Sequence, residues 1–353
     1  MYFCSFIILE MKWLVLILTI LLVSGFYMWE ENKQVDLSGP VASQNIPRQN
    51  LASESASFFE ELTIPYLRSR SYASQIGERV KYQSKQSYQS YLTSYVSDGL
   101  KINGLLTIPV GQMPEGGWPA IVFVHGYIPP TLYKTTEKYV EYVDYLARSG
   151  FVVFKIDLRG HGQSEGEPGG AYYSSDYVID VLNTYRALEG MSEVNKRKVY
   201  MWGHSMAGNV LFRAAVVQRT VPKVVIWAGA VYSYADFAKY GISDNSYRPA
   251  GMSAQRQRRR QQIFDAYGPF SGESDFWKKV SPVNYLEGVK TEFQVHHAVD
   301  DSVVNVGYSR DLVKILGDKM VKVDYLEYKS GGHNISGSNF GEAMAKTVEF
   351  LKR

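Results

Sequence analysis

The sequence predicts an α/β fold: a mostly parallel, doubly wound sheet with an inserted helical lid, preceded by one N-terminal hydrophobic helix. Short continuous apolar runs such as "PAIVFVHG" (119–126) alternate with amphipathic helical stretches as far as the C-terminus. This alternation is typical of parallel strands that are covered by helices on both faces. This alternation is interrupted once, by residues 231–285. At the N-terminus, residues 13–29 form an apolar run without a charge.

The N-terminal apolar run has seventeen residues without a charge, which is the lower limit for a helix that spans a bilayer. A lysine precedes it and two glutamates follow it. This asymmetry predicts that residues 1–29 form a membrane anchor with the rest of the chain outside the cytoplasm. A cleaved signal peptide and a secreted product are the alternative, because Val23-Ser24-Gly25 offers a small-residue cleavage site. Met11 is a second candidate start.

The overall composition excludes several classes of protein. The chain has 353 residues, of which 45% are hydrophobic and 21% charged, with a formal net charge of +3. This small charge gives no reason to expect a nucleic-acid partner. Cys4 is the only cysteine, so we expect no internal disulfide and no zinc site. The sequence leaves the oligomeric state open.

The elements follow in order after the anchor. Residues 30–56 are polar and predict a linker, and residues 57–353 are expected to form one α/β domain, which starts with a short helical lead-in and includes the inserted segment 231–285. Asp98-Gly99, between two alternating runs, predicts a β-hairpin turn. Strands are predicted at 119–126, 151–160, 198–203, 223–230, 291–300 and 321–329, and helices at 137–150, 176–190, 205–217 and 341–353.

Ser205 lies in "VYMWGHSMAGN" (199–209), where an apolar run that favours a strand passes into a stretch that favours a helix. Small residues surround it, with Gly203 before it and Ala207 and Gly208 after it. This pattern resembles the nucleophile elbow G-x-S-x-G, in which a sharp turn exposes a serine at the end of a strand. Ser205 is therefore the candidate nucleophile, and a serine that only caps the helix is the alternative.

A serine hydroxyl becomes a good nucleophile only when a histidine removes its proton. After such an elbow, an acid and then the histidine are expected, each at the end of a strand. His296 and His297 lie on the strand before the candidate acid, whereas His333 lies in the glycine-rich loop "SGGHNISG". His333 is thus the candidate base. The histidines that do not follow Ser205 are expected to be structural: His125, His161 and His204.

The acid is expected after the preceding strand, where "VHHAVDDSVV" offers two aspartates. We expect Asp300 to be the acid, because the first carboxylate after the strand would curl back over the edge of the sheet, and Asp301 to hold the turn. The reverse assignment stays open. Backbone N–H groups must also stabilise the developing oxyanion. Met206 of the elbow and Tyr127, which follows "IVFVHG", are the candidates for this oxyanion hole.

Five stretches together resemble the motifs of the α/β-hydrolases, in the same order: "VFVHGY", "DLRGHGQSEG", "GHSMAG", "VHHAVDDSVV" and "GGH". The chain most resembles the catalytic domain of the prolyl oligopeptidase (S9) peptidase family and its dienelactone-hydrolase-like relatives, over about residues 85–353. The resemblance implies an α/β-hydrolase fold. It also implies a Ser205-Asp300-His333 triad with Tyr127 and Met206 as oxyanion donors.

The chain departs from these families at three points. Ala207 stands where glycine is usual, and His297 stands where a glycine precedes the acid's loop, which a larger side chain could crowd. S9 oligopeptidases also carry a β-propeller that filters substrates, and too few residues precede "VFVHGY" to form one. Substrate selection is therefore expected from the inserted lid, residues 231–285, and from loops such as "GYIPPTLYK".

The inserted segment also carries a basic cluster in "AQRQRRRQQ" (254–262). A clamp for an anionic substrate or surface is one interpretation, and a solvated helix face is the other. The cluster comprises Arg256, Arg258, Arg259 and Arg260.

Together these features predict a membrane-anchored or exported serine hydrolase. It would cleave a peptide, amide or ester bond of a small molecule or peptide through an acyl-enzyme, without a metal or organic cofactor. A carboxylesterase is the close alternative, and an acyltransferase would use the same triad. A non-catalytic binding protein with this fold, and an anion-binding envelope protein, are the remaining hypotheses.

Overall fold

Nine strands form one sheet in the computed structural model, which describes residues 59–243 and 254–353. The strands are β1 (Val80–Ser84), β2 (Tyr88–Ser97), β3 (Leu100–Pro109), β4 (Trp118–Val124), β5 (Val152–Ile156), β6 (Val194–His204), β7 (Lys223–Trp227), β8 (Glu292–Ala298) and β9 (Val323–Tyr328). Their order in the sheet is β1-β2-β3-β5-β4-β6-β7-β8-β9. The strand pairs β5-β4, β4-β6, β6-β7, β7-β8 and β8-β9 are parallel, whereas β1-β2, β2-β3 and β3-β5 are antiparallel. The mostly parallel sheet that the sequence predicted is therefore confirmed.

Helices cover both faces of this sheet. They are α1 (Ile64–Ser69), α2 (Val140–Arg148), α3 (Asp176–Glu189), α4 (Ala207–Val217), α5 (Tyr234–Tyr240), α6 (Ala254–Tyr267), α7 (Asp275–Val280), α8 (Gly307–Asp318) and α9 (Ser338–Lys352). One buried apolar cluster includes side chains of α3, α4 and α8, and a second includes side chains of α2 and α9. Two separate cores on the two faces are what a doubly wound sheet requires.

The predicted hairpin turn is present between β2 and β3. Asp98 and Gly99 both have positive φ angles, 51° and 79°, as the two central residues of a tight hairpin turn need. In contrast, the sequence interpretation missed α8, although Tyr308, Leu312 and Leu316 are spaced four residues apart and are all buried. The apolar spacing of that helix was therefore a usable signal.

The lead-in before the sheet is only partly helical. A 3-10 turn at Glu60–Leu62 and the six-residue helix α1 precede an extended segment. Arg68 of α1 donates hydrogen bonds to the carbonyl oxygens of Val216 and Tyr285, which ties the lead-in to the body of the domain. The predicted anchor (1–29) and linker (30–56) lie outside the described residues. Among the residues that are described, no helix is long and apolar enough to cross a membrane.

The predicted lid, residues 231–285, contains α5, α6, α7 and a 3-10 turn at Pro282–Tyr285. A small apolar cluster joins this segment to the lead-in, through Ile263, Trp277 and Val280 on one side and Phe59 and Leu62 on the other. The described parts of this segment, 231–243 and 254–285, are therefore largely helical, as expected. Its role as a lid over the active site stays a prediction.

Candidate active site

Ser205 occupies a sharp turn between a strand and a helix. β6 ends at His204 and α4 begins at Ala207, so two residues must reverse the direction of the chain. Ser205 has a φ of 57°, a left-handed conformation that is strained for a residue with a side chain. Its N–H donates to the carbonyl oxygen of Trp227 at 2.9 Å, and its own carbonyl accepts from Gly208 at 2.8 Å. This is the geometry of a nucleophile elbow.

Small residues make the turn possible. A Cβ on Gly203 would lie 2.8 Å from the Cβ of Ala207, and a Cβ on Gly208 would lie 2.7 Å from the Cα of Gly229. Both distances are shorter than real Cβ contacts. The unusual Ala207 is accommodated because Gly203, directly opposite its methyl group, has no side chain.

His333 lies in the loop after β9, within a short 3-10 turn at Gly332–Asn334. Gly331 and Gly332 both have positive φ angles, 126° and 58°, which glycine adopts without strain. The Nδ1 atom of His333 is 2.8 Å from Oδ2 of Asp301, and His333 and Ser205 line the same cavity. The structure thus brings together the predicted nucleophile and the predicted base.

The carboxylate that contacts His333 is Asp301, and the expectation of Asp300 is wrong on geometry. β8 ends at Ala298, and the N–H of Asp301 closes a turn onto the Ala298 carbonyl at 3.2 Å. Asp300 is left at the exposed corner of this turn, whereas Asp301 returns over the end of the sheet with its side chain fully buried. Asp300 instead accepts N–H groups of Gly331 and Gly332, at 3.2 and 2.8 Å, and so holds the loop of His333.

The side chain of Asp301 is surrounded by hydrogen-bond donors. Oδ1 accepts the N–H groups of Val303 and Val304, while Oδ2 lies 3.1 Å from Nε2 of His297 in addition to its contact with His333. Burial alone would raise the pKa of Asp301, but hydrogen bonds from His297 and His333 more than offset this and lower that pKa well below its ordinary value. Asp301 is therefore a carboxylate at neutral pH, as a partner of a catalytic histidine must be.

His297, which the sequence marked as a departure from the related families, supports the acid rather than crowding it. Its side chain is buried, and Nδ1 lies 2.7 Å from the hydroxyl oxygen of Ser309. Nε2 donates to the carbonyl of Val304 at 3.0 Å and also faces Asp301. In the sequence, the only signal of this contact was the histidine before "AVDD", which stands where the families that the chain resembles have glycine.

The two candidate oxyanion donors flank the nucleophile. Met206 is the N-cap residue of α4, and backbone N–H groups in the first turn of a helix have no partner within it. Tyr127 follows Gly126 in the loop after β4, and both residues line the cavity that contains Ser205. A Cβ on Gly126 would lie only 3.1 Å from the Cβ of Ser205, so this loop passes directly beside the nucleophile. The roles of Tyr127 and Met206 stay predictions.

His125 and His161 pack against each other beside the loop that follows β4. Both are buried, and their rings meet edge to face with a centroid distance of 5.0 Å. The ring nitrogens of His161 lie 3.2 Å from the carbonyl oxygens of Arg159 and Ile128, and burial lowers the pKa of His161 to about 4. His161 therefore stays neutral, and its single N–H donates to one of these two carbonyl oxygens while the other contact is not a hydrogen bond.

Arg159 holds the loop after β5 in place through a buried ion pair. Arg159 contacts Asp180 of α3, with a shortest distance of 2.7 Å, rather than the nearby Asp157. Asp157 accepts hydrogen bonds from Tyr133 and Thr135. Side chains that are two positions apart on an extended segment share a face only while the strand continues, and β5 ends at Ile156.

Replacing Arg159 with Met is expected to destabilise the fold by about 3–5 kcal/mol, because it leaves the carboxylate of Asp180 buried without its cationic partner. Urea unfolding followed by circular dichroism measures this change. Lys239→Met, in an exposed pair with Asp311, is the matched control and should leave the unfolding midpoint nearly unchanged. Equal shifts for both variants would contradict the structural role of the Arg159–Asp180 pair.

A cavity of about 570 Å³ lies beside Ser205, within the size range of small-molecule sites. Its walls come from the loop after β4, the start of α2 and the segment that follows His333. The aromatic lining residues are half-buried, and the rim carries Lys138 and Glu141. None of the described lining residues belongs to 231–285. The aromatic lining residues are Tyr127, Tyr139, Tyr142 and Phe340.

The arginine cluster on α6 is partly engaged in packing. Nε of Arg256 donates to the carbonyl of Pro168 at 3.0 Å, and Arg259 donates to the carbonyl of Tyr173 and to Glu61. These contacts favour a structural function for two of the four arginines, because their guanidinium groups tie α6 to the loop before α3.

The sequence family described as serine aminopeptidase, S33 matches residues 119–244. This range includes the Ser205 turn but ends before Asp301 and His333. Among curated proteins, the uncharacterized peptidase YuxL of Bacillus subtilis is 21% identical over 267 residues, which is 72% of this chain and 36% of that protein. The chain spans about a third to a half of the length of the curated relatives that match it.

Solved structures with the same fold include both esterases and peptidases. Acetyl xylan esterase 1 from Thermoanaerobacterium aligns with a TM-score of 0.57 at 17% identity, over 88% of this chain and all of that one. The acylaminoacyl peptidase of Pyrococcus horikoshii aligns with a TM-score of 0.58 at 21% identity, over 76% of this chain and 42% of that one. At these identities the likeness concerns the fold alone.

Proposed function

Because the chain is an α/β-hydrolase that resembles the S9 peptidases, we propose that it is a serine hydrolase that cleaves amide, peptide or ester bonds. The single observation that carries this proposal is the 2.8 Å contact between Nδ1 of His333 and the buried carboxylate of Asp301, at the cavity that also contains Ser205. A neutral histidine held in this way has its Nε2 free of a proton and available as a base.

The proposed reaction follows from these positions. His333 takes the proton of the Ser205 hydroxyl through Nε2 while the serine oxygen attacks the substrate carbonyl carbon. The N–H groups of Tyr127 and Met206 stabilise the negative charge on the carbonyl oxygen. His333 then gives its proton to the leaving group, and an acyl-enzyme remains on Ser205. In the second half, His333 takes a proton from water while the water oxygen attacks the acyl carbon. The bond from that carbon to the Ser205 oxygen then breaks, His333 returns the proton to the serine, and the acid is released.

The proposed chemistry applies to both peptide and ester bonds. The proposal of peptide or acyl-amide substrates is supported by the resemblance to S9 peptidases and by the peptidase relatives, whereas esterases of the same fold support a carboxylesterase. The half-buried aromatic walls suit an apolar group on the substrate, because such walls exchange water for apolar contact. The described cavity walls give no support to substrate selection by the predicted lid. A location outside the cytoplasm stays a prediction, since the anchor lies outside the described residues.

The Ser205→Ala variant tests the proposal. The full chain, purified in a mild non-ionic detergent, is assayed with p-nitrophenyl esters and with aminoacyl and acyl-peptidyl p-nitroanilides. We expect turnover of at least one series to fall by about 10⁶-fold in the variant, which lacks the nucleophile. Turnover of anilides would identify a peptidase, and turnover of esters alone a carboxylesterase. Equal activity of both proteins on every substrate would overturn the proposal in favour of a binding function.

A further inference from the structure

A chain of hydrogen bonds connects the loop of the predicted oxyanion hole to the loop of His333. The N–H of Gly126 donates to the hydroxyl oxygen of Tyr139 at 2.9 Å. The same hydroxyl lies 2.8 Å from Nδ1 of His204. Nε2 of His204 lies 2.8 Å from the carbonyl oxygen of His333. Three elements that are far apart in sequence are therefore joined by consecutive short contacts through two side chains.

Each of these three hydrogen bonds has a defined donor and acceptor. A carbonyl oxygen only accepts, so Nε2 of His204 carries a proton and donates it to His333. Burial lowers the pKa of His204 to about 3, so the ring is neutral and its Nδ1 is an acceptor. The Tyr139 hydroxyl must then donate to Nδ1, which leaves its oxygen to accept the N–H of Gly126. Each donor in the chain meets one acceptor.

Tyr139 is held in this place against its own backbone preference. Its φ and ψ are 60° and 23°, the left-handed region that a tyrosine rarely adopts. Its ring packs edge to face on Phe123 and Trp202, at 5.6 and 6.4 Å between centroids. Strained residues of this kind persist where the surrounding structure fixes them, and they cluster at functional sites.

We propose that Tyr139 is a positioning residue for catalysis. Its hydroxyl holds the oxyanion loop directly, at Gly126, and holds the His333 loop through His204, so that the two loops keep a fixed separation. This inference rests on the proposed function. The N–H of Tyr127, a candidate oxyanion donor, belongs to the residue after Gly126. The carbonyl that His204 contacts belongs to His333, the residue whose side chain is the proposed base. Fixing both ends keeps the oxyanion donor aimed at the substrate carbonyl oxygen while the base faces the Ser205 hydroxyl, and small misplacements of such groups are costly.

Tyr139→Phe tests the inference, because it removes one hydroxyl and retains the ring. In the full chain we expect kcat to fall by about 10- to 100-fold, with KM changed by less than about twofold. The matched control is Tyr328→Phe. The Tyr328 hydroxyl also contacts Nδ1 of a buried histidine, His296, at 2.9 Å, but reaches neither loop. Both variants should lower the melting temperature by similar amounts, while Tyr328→Phe keeps kcat within about twofold.

The outcomes separate this inference from the proposed function. If wild-type activity depends on Ser205 and Tyr139→Phe keeps the kcat of Tyr328→Phe, the positioning role is overturned while the hydrolase remains. A readout without turnover comes from nitrogen NMR of the histidine-labelled chain, with His204→Gln for assignment. We expect His204 as the Nε2–H tautomer, unchanged between pH 5 and 8, and a shifted Nδ1 resonance in Tyr139→Phe. An Nδ1–H tautomer in the wild type would overturn the inference whether or not a substrate is found.

Discussion

Asp301→Asn is expected to lower kcat by about 10⁴-fold. Oδ1 of Asp301 accepts two backbone N–H groups, so the remaining oxygen of an asparagine would take that position. The amide NH₂ would then face Nδ1 of His333, where Oδ2 now lies 2.8 Å away. Nδ1 would have to become an acceptor, and the proton would move to Nε2. A histidine in that tautomer cannot remove the proton of Ser205.

The neighbouring aspartate provides the control. Asp300→Asn keeps one of the two acceptor oxygens that hold the N–H groups of Gly331 and Gly332, so we expect a loss of less than about tenfold in kcat. The loss of one exposed hydrogen bond has a modest cost. Steady-state kinetics on the best substrate from the ester and anilide panel measure both variants. A larger effect at Asp300 than at Asp301 would restore the assignment that the sequence favoured.

Gly126→Ala is expected to lower kcat/KM by about 100-fold or more. A methyl group at this position would lie 2.8 Å from the Tyr139 hydroxyl oxygen, and 3.1 Å from both Nδ1 of His204 and the Cβ of Ser205. The loop must move away from the nucleophile to relieve these contacts, and the N–H of Tyr127 moves with it. The oxyanion would then lose a well-placed donor.

Gly317→Ala is the matched control for that variant. Gly317 lies in α8, where a Cβ would have no atom within 4 Å, and alanine favours the helix. Its kcat/KM should equal that of the wild type, and its melting temperature should be equal or higher. Gly126→Ala with wild-type kcat/KM would show that the loop after β4 takes no part in the reaction.

Much of the candidate site could be predicted because a nucleophile elbow and a partner histidine need particular residue types. Ser205 is recognisable from the small residues that its turn needs, and His333 from its position in a glycine-rich loop after the last strand. The alternation of apolar runs and amphipathic helices indicated the parallel sheet. These signals are local in sequence, and local patterns predict elements and the turns between them.

The remaining features depend on contacts between distant parts of the chain. Asp300 and Asp301 are chemically identical neighbours, and the turn after Ala298 decides which one returns over the sheet. The sequence placed Tyr139 inside a helix of residues 137–150, yet α2 begins only at Val140, because Tyr139 turns out of the helix to reach Gly126 and His204. The partner of Arg159 is likewise supplied by another element, α3.

We propose Ser205 as the nucleophile, activated by Asp301 and His333. The most direct test of this proposal is labelling of the full chain with a fluorophosphonate, which needs no knowledge of the substrate, followed by peptide mass spectrometry. We predict one adduct, on Ser205, that forms at similar rates in the wild type and Asp300→Asn and much more slowly in Asp301→Asn. An adduct on another residue would contradict the assignment of Ser205 as the nucleophile, and labelling of Ser205 that is equally fast in Asp301→Asn would contradict the role of Asp301.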